Sequence, residues 1–128
     1  MSANNRHEDA PAPTITLPSI SYTILQSGDP NGQRPRRWDT ITVHYEVSTD
    51  DGAVLDSSQQ RGAPSVFSLA KLITAWQVVL PLMAPGDEWR VTVPPEFAYG
   101  ATGKPPVAPN STLIFQIALI AVEPAEPD

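Results

Sequence analysis

The chain has 128 residues and a formal net charge of −6, with 41% hydrophobic and 17% charged residues, which suits one domain with its own core. The absence of cysteine excludes a disulfide framework, a thiolate nucleophile and cysteine-based zinc sites. The sequence contains two histidines, His7 and His44, too few for a histidine-rich metal centre. We therefore predict neither a metal nor a cofactor.

Charge and hydropathy patterning restrict the partners. Residues 20–122 carry seven basic and nine acidic side chains, and this part of the chain lacks the basic surplus that nucleic-acid binding requires. Arg34, Arg36 and Arg37 form a small basic cluster beside Trp38, which we interpret as a solvated loop. No run of 18 apolar residues is present, which predicts no membrane span.

The two ends of the chain differ from its middle. Residues 1–19 contain three prolines among small polar residues, and residues 123–128 read Glu-Pro-Ala-Glu-Pro-Asp. We predict flexible tails over 1–19 and 123–128, flanking one domain over residues 20–122. No basic start followed by an apolar stretch marks a signal peptide, which predicts a cytoplasmic protein. The alternative is a periplasmic location, if the sequence is a trimmed mature form.

Most of the domain has the two-residue period of β-strands. The clearest strand is Thr40 to Thr49, in which Ile41, Val43, Tyr45 and Val47 share one face. Asp-Asp-Gly then predicts a hairpin turn. The remaining predicted strands cover residues 21–26, 53–57, 66–69, 89–93 and 112–122.

Residues 72–83 have a different period. Their apolar side chains recur every three or four residues, which is typical of an amphipathic helix, at Leu72, Ile73, Trp76, Val79, Leu80 and Met83. Pro81 lacks an amide hydrogen and limits this helix. The sequence therefore predicts an α+β domain, in which a curved antiparallel sheet wraps one short helix.

Two catalytic motifs are tested and rejected. Ser57 and Ser58 follow Asp56, but His44 is predicted on the sheet face opposite Tyr45, and no Gly-x-Ser-x-Gly elbow occurs. Residues 100–105, Gly-Ala-Thr-Gly-Lys-Pro, lack the glycine spacing and the final Ser or Thr of a Walker A loop. The sequence thus favours neither a serine hydrolase nor a nucleotide-binding loop.

The aromatic residues allow two interpretations. Tyr45, Phe67, Trp76, Tyr99 and Phe115 all fall on core-facing positions of their predicted elements. They either form the ordinary core or line an apolar pocket that contains a few polar groups such as the Asp56 carboxylate. Composition and spacing do not separate these alternatives.

The order of short motifs identifies a family resemblance. The chain reads Val-His-Tyr at 43–45, Leu-Asp-Ser-Ser at 55–58, Leu-Ile-Thr-Ala-Trp at 72–76 and Ala-Tyr-Gly at 98–100. Over residues 20–122 it resembles the FKBP family, peptidyl-prolyl cis/trans isomerases that also bind macrolides such as tacrolimus and rapamycin. The resemblance implies a curved antiparallel sheet around one short helix, with a pocket between them.

The resemblance also implies which residues form the site. It assigns polar roles in catalysis to Asp56 and to the Tyr99 hydroxyl, and a ligand-binding amide to Ile73. The substrate-binding residues that it implies are Tyr45, Leu55, Phe67, Leu72, Ile73, Trp76, Val107, Ala108 and Phe115, with Trp76 as the floor. Leu55 and Ser65 depart from the family, because Leu55 stands where a phenylalanine is common and Ser65 stands where some members have an aromatic wall.

The implied activity is rotation of X-Pro bonds in proline-containing polypeptides by a monomeric enzyme that assists protein folding. The implied mechanism is non-covalent stabilisation of the twisted imide in an apolar pocket. The alternative is an FKBP-like binding module with low turnover, which holds proline-containing segments or macrolides. The same pocket residues serve both functions, so the sequence leaves both open.

Overall fold

A computed structural model of the chain describes residues 14–17 and 20–125, with side chains from residue 20 onward. This part of the chain forms seven antiparallel strands around one α-helix. The strands are β1 (Thr14–Leu17), β2 (Ile20–Gln26), β3 (Thr40–Thr49), β4 (Val54–Ser57), β5 (Ser65–Ser68), β6 (Glu88–Val93) and β7 (Leu113–Glu123). The helix α1 spans Thr74–Val79, and short 3-10 helices span Leu69–Lys71, Leu80–Leu82 and Pro95–Phe97.

The sheet has the strand order β1-β2-β6-β7-β3-β4, and β5 also pairs with β3. The two longest strands, β3 and β7, pair from Thr40 opposite Glu123 to Thr49 opposite Leu113. Their alternating apolar residues are buried on a single face of the sheet. The strand predictions from residue 20 onward are therefore confirmed, with ends that differ by at most one residue.

The helix α1 packs on the buried face of the sheet. Ala75, Trp76 and Val79 belong to the same hydrophobic cluster as the inward side chains of β3, β6 and β7. Register shifts in three strand pairs, including one between Thr42 and Val43, mark bulges that bend the strands. The predicted α+β fold, an antiparallel sheet with one short helix, is confirmed.

The helix itself is shorter than predicted. The sequence indicates a helix over residues 72–83, but only Thr74–Val79 are α-helical. Leu72 and Ile73 are extended, and Leu80–Leu82 form a 3-10 helix around Pro81, which cannot donate the hydrogen bond of a continuing α-helix. No helix in the described residues is long and apolar enough to span a membrane.

Both predicted tails include residues that pair with the domain. Thr14–Leu17 form the strand β1, which the sequence does not predict, and pair with residues 20–23 of β2. Strand β7 continues to Glu123, and the Ala125 amide donates a 2.9 Å hydrogen bond to the buried Asp39 carboxylate. Main-chain hydrogen-bonding groups thus join parts of both segments to the domain. Residues 1–13, 18–19 and 126–128 of the predicted tails lie outside the described residues.

Candidate active site

Four aromatic rings meet above the helix. The Trp76 indole is 5% exposed and is approached edge-on by Tyr45 of β3, Phe67 of β5 and Phe115 of β7. The ring centroids lie 5.6, 5.9 and 5.5 Å from that of Trp76, at interplanar angles of 84°, 87° and 83°. These edge-to-face contacts are favourable for aromatic quadrupoles and fix the orientation of each ring.

These rings form part of the wall of a half-open cavity of about 240 Å³, which we call the aromatic cavity. Its position on the concave side of the sheet is set by α1 below and by the β6–β7 connection above. The cavity is lined by Tyr45, Val47, Leu55, Asp56, Phe67, Leu72, Ile73, Trp76, Tyr99, Pro106, Val107 and Phe115. Of the two alternatives for the aromatic residues, the geometry favours a pocket.

The structure brings together ten of the eleven residues that the sequence predicts for the site, since these ten are all in the lining. The exception is Ala108, which is exposed and is not among the lining residues. Its neighbour Val107 is 9% exposed and closes the cavity instead. The two residues therefore occupy different environments although they are adjacent in sequence.

A tight turn holds Val107 over the cavity. Lys104 and Val107 exchange backbone hydrogen bonds, and Gly103 has a φ of 73°. A Cβ atom at Gly103 would lie 2.7 Å from the Val107 carbonyl oxygen, closer than real contacts allow. This turn therefore requires glycine at position 103 for two reasons, the positive φ and the close approach of the backbone.

Asp56 is the charged residue in the lining, and its carboxylate has three donors. The Tyr45 hydroxyl donates to Oδ2 at 2.5 Å, and the Ser57 amide donates to Oδ1 at 2.9 Å. Arg61 forms an ion pair with Oδ1. Arg61 also donates to Ser65 Oγ at 3.1 Å, and its guanidinium lies 5.7 Å from the centroid of the Tyr45 ring.

This network keeps Asp56 ionised. The hydrogen bond from the Tyr45 hydroxyl lowers the pKa of Asp56, and partial burial opposes this effect without reversing it. The positive charge of Arg61 lowers the pKa of Asp56 further. Burial, together with the hydrogen bond to Asp56, raises the pKa of Tyr45, so its hydroxyl stays protonated as a donor. The rim of the cavity therefore carries an ionised carboxylate that is paired with the Arg61 guanidinium.

Two hydrogen-bond donors beside the cavity have no partner among the described residues. The Ile73 amide precedes α1 and is in no hydrogen bond with this part of the chain. The Tyr99 hydroxyl likewise makes no hydrogen bond there, and its residue is only partly buried. A ligand with two carbonyl oxygens could accept from both groups.

The serines beside Asp56 have structural roles. Ser58 is fully buried, and its Oγ accepts a 2.8 Å hydrogen bond from the Tyr45 amide. His44 Nδ1 lies 2.8 Å from the same Oγ, a contact that the sequence does not predict. Because the hydroxyl is inaccessible and fixes the backbone of Tyr45, this Ser–His pair does not form a nucleophilic site.

Comparison with known proteins decides the family. The profile described as FKBP-type peptidyl-prolyl cis-trans isomerase matches residues 31–120. The chain belongs to this FKBP family. It is 45% identical over 105 residues to the peptidyl-prolyl cis-trans isomerase Mip of Coxiella burnetii. The aligned residues cover 81% of this chain and 45% of that protein. The resemblance in sequence is therefore confirmed.

Two further relatives show the extent of the match. The protein named outer membrane protein MIP of Legionella longbeachae is 41% identical over 113 residues, which cover 87% of this chain and 48% of that protein. A crystal structure of a peptidyl-prolyl cis-trans isomerase from Pseudomonas syringae has a TM-score of 0.79 at 32% identity, covering 91% of this chain and 84% of that one. The chain spans about half the length of the two curated relatives.

Sequence reasoning missed three residues of this site: Val47 and Pro106, which line the cavity, and Arg61, which pairs with Asp56. Ser65 is predicted only as a departure from the family, and in the structure it accepts a hydrogen bond from Arg61. Val47 was open to prediction, because it shares a strand face with Tyr45. The position of Arg61 could not be predicted in this way. The turn at residues 58–62 folds the chain back toward Tyr45, and hydrophobic periodicity does not indicate such a turn.

Proposed function

We propose that this FKBP domain catalyses cis/trans isomerisation of X-Pro peptide bonds in proline-containing polypeptides and thereby assists protein folding. The observation that carries the proposal is the aromatic cavity with its ionised Asp56 at the rim. Its family membership and the matched isomerase structure from Pseudomonas syringae support the same activity. The alternative, a binding module with low turnover, would use the same cavity.

The reaction explains why such an apolar site suffices. Rotation about a peptide bond faces a barrier of about 18–20 kcal/mol, because resonance gives the C–N bond partial double-bond character. Uncatalysed prolyl isomerisation takes roughly tens to hundreds of seconds. No covalent bond breaks, so the reaction needs neither a nucleophile nor a proton acceptor. The protein must only favour the twisted imide over the planar one.

Each group of the cavity has a role in this proposal. The rings of Tyr45, Phe67 and Trp76 bind the proline ring through apolar contact. The apolar walls disfavour the planar imide, whose polarised carbonyl prefers water. The Asp56 charge and the Tyr99 hydroxyl act on the carbonyl and nitrogen of the twisted imide, which differ electronically from those of the planar form. The Ile73 amide orients the substrate by donating to a neighbouring carbonyl.

The test is catalysed isomerisation of an X-Pro tetrapeptide by the wild type, Asp56→Ala and Tyr99→Phe. We expect each variant to lose roughly tenfold or more in kcat/KM, because each removes a group that stabilises the twisted state. Asp50→Ala is the matched control, since Asp50 is an exposed carboxylate in the β3–β4 turn, away from the cavity. Full turnover in both folded site variants would show that these polar roles are wrong.

We further propose that macrolides of the tacrolimus and rapamycin type compete for this cavity. The Ile73 amide and the Tyr99 hydroxyl, which have no hydrogen-bond partner among the described residues, offer donors for two ligand carbonyls. Rapamycin should therefore abolish turnover in the tetrapeptide assay. A folded wild type that binds rapamycin without any turnover would instead support the binding-module function.

The oligomeric state and the compartment are proposals as well. We propose a monomer, and light scattering at two protein concentrations tests it, with a mass above 13.8 kDa per particle as the contrary result.

We also propose that the protein works in the cell envelope, since one relative is named an outer membrane protein. Fractionation of the source cells tests this location, and recovery with cytoplasmic markers would favour the cytoplasm predicted from the sequence.

A further inference from the structure

A basic turn with an exposed tryptophan lies outside the aromatic cavity. Three of the eight basic residues of the chain fall between Arg34 and Trp38. Arg37 and Trp38 are the central residues of a β-turn, which the Asp39 amide closes with a 2.9 Å hydrogen bond to the Arg36 carbonyl. We call Arg34, Arg36, Arg37 and Trp38 the basic turn.

The side chains of this turn face solvent. Trp38 is 61% exposed, whereas the other two tryptophans of the chain, Trp76 and Trp89, are 5% and 4% exposed. The Arg36 guanidinium lies 5.5 Å from the centroid of the Trp38 ring and is itself 54% exposed. The Arg37 side chain makes no hydrogen bond or ion pair with the described residues. An apolar ring thus lies beside the Arg36 guanidinium, whose Nε is ion-paired with Asp39, and directly follows Arg37, whose donors have no partner among the described residues.

The turn is also held rigidly. The Asp39 carboxylate accepts hydrogen bonds from the Arg36 amide at 2.7 Å and from the Ala125 amide at 2.9 Å, and the Asp39 carbonyl accepts from Leu69. These contacts join the turn to the end of β7 and to the 3-10 helix after β5. A ligand that binds Trp38 therefore pays little ordering entropy, which favours affinity.

We propose that the basic turn is a docking site for an acidic segment of a partner protein, in which carboxylates flank an apolar side chain. Tryptophan and arginine dominate the binding energy of protein interfaces, and guanidinium groups match carboxylates in geometry. The size of the patch favours a short acidic peptide over nucleic acid or an anionic membrane, because three arginines within residues 34–37 form no wider basic face of the kind that a polyanion requires. This site would act independently of the isomerase activity.

The probe is a labelled peptide, Glu-Glu-Leu-Glu-Phe-Glu-Glu, which contains no proline for the aromatic cavity. Fluorescence anisotropy measures its binding to the wild type, Arg37→Glu, Trp38→Ala and the control Arg90→Glu, which makes the same charge change at an exposed residue of β6. We expect saturable binding that weakens by roughly tenfold in Arg37→Glu and in Trp38→Ala, and by less than about twofold in Arg90→Glu. A peptide with glutamine in place of glutamate should bind at least about tenfold more weakly.

Three results would overturn the proposal. The first is no saturable binding of the acidic peptide. The second is equal weakening by Arg37→Glu and Arg90→Glu, which would mean a response to net charge alone. The third is preferential binding of single-stranded DNA or of phosphatidylglycerol vesicles, which would assign the turn to another class of partner. Urea unfolding of each variant checks the fold, and both turn variants should keep wild-type turnover on the X-Pro tetrapeptide.

Discussion

Two carboxylates of this domain have lowered pKa values for different reasons. Burial alone would raise the pKa of Asp39, but hydrogen bonds from the Arg36 and Ala125 amides and the charge of Arg36 outweigh it. For Asp56 the hydrogen bond from the Tyr45 hydroxyl is the main cause, and the Arg61 charge adds to it. Asp39 is held mainly by the main chain, whereas Asp56 is held mainly by side chains.

Solvent exposure distinguishes the roles of the Asp39 and Asp56 side chains. The Asp39 side chain is fully buried and joins three segments, while 42% of the Asp56 side chain is exposed beside the aromatic cavity. A lowered pKa therefore does not by itself indicate a functional carboxylate. We assign Asp39 to stability and Asp56 to the proposed catalysis, and the variants below separate these assignments.

The largest expected effect is on stability, from Asp39→Ala. This change leaves the Arg36 and Ala125 amides without acceptors, so the free energy of unfolding should fall by about 3 kcal/mol. Urea unfolding measures this loss, with Asp50→Ala as an exposed control that should change by less than about 0.5 kcal/mol. The folded fraction should retain wild-type kcat/KM. A loss of turnover without a loss of stability would reverse our assignment of Asp39.

The converse effect is expected from Asp56→Asn, which keeps the shape of the side chain and removes its charge. The kcat/KM for the X-Pro tetrapeptide should fall by roughly tenfold, because the proposed electrostatic stabilisation of the twisted imide is lost. The free energy of unfolding should change by less than about 1 kcal/mol, since this carboxylate is partly solvated. If Asp39→Asn and Asp56→Asn lost comparable amounts of kcat/KM, the assignment of Asp39 to stability and of Asp56 to catalysis would be wrong.

The sequence predicts the concave side of the domain more completely than its ends. Alternating residues in β3 and β7 specify which face is buried, and the spacing of Trp76 and Val79 specifies the helix face. Local periodicity carries this information because each element buries one continuous face. The strand Thr14–Leu17 escapes prediction, because a segment of four residues is too short to show a period, and its pairing with β2 is visible only in the structure.

The same distinction applies to the site. Lining residues such as Tyr45, Trp76 and Phe115 lie on strands or on α1, whereas Leu72, Ile73, Tyr99 and Val107 lie in connections and were identified from the family motifs alone. Arg61 and the orientation of Ala108 depend on loops, where the path of the backbone decides which side chains converge. Asp39 gives no signal in the sequence, since its partner Ala125 lies 86 residues away.

Lowering the pH should reduce the stabilisation that Asp39 and Asp56 give to the folded protein, because folding lowers the pKa of both carboxyl groups. A carboxyl group whose pKa is lowered by folding stabilises the protein above its unfolded pKa, and this contribution is lost as the pH falls through the folded pKa. The wild type should therefore lose stability below about pH 4. Urea midpoints measured across this range should fall less steeply for Asp39→Asn, which lacks one such group. A slope as steep as in the wild type would mean that Asp39 does not contribute to acid sensitivity.

The smallest effect is expected from Arg61→Gln, which removes one partner of Asp56 and leaves Tyr45 in place. Because the Arg61 charge helps to lower the pKa of Asp56, its removal should shift that pKa upward, and turnover should begin to fall at a higher pH than in the wild type. At neutral pH Asp56 stays ionised through the Tyr45 hydrogen bond, so kcat/KM should change only about twofold. The pH profile of kcat/KM measures the shift, and Lys71→Gln, at an exposed cation outside the cavity lining, is the charge-matched control. An unchanged acid limb in Arg61→Gln would show that Tyr45 alone sets the ionisation of Asp56.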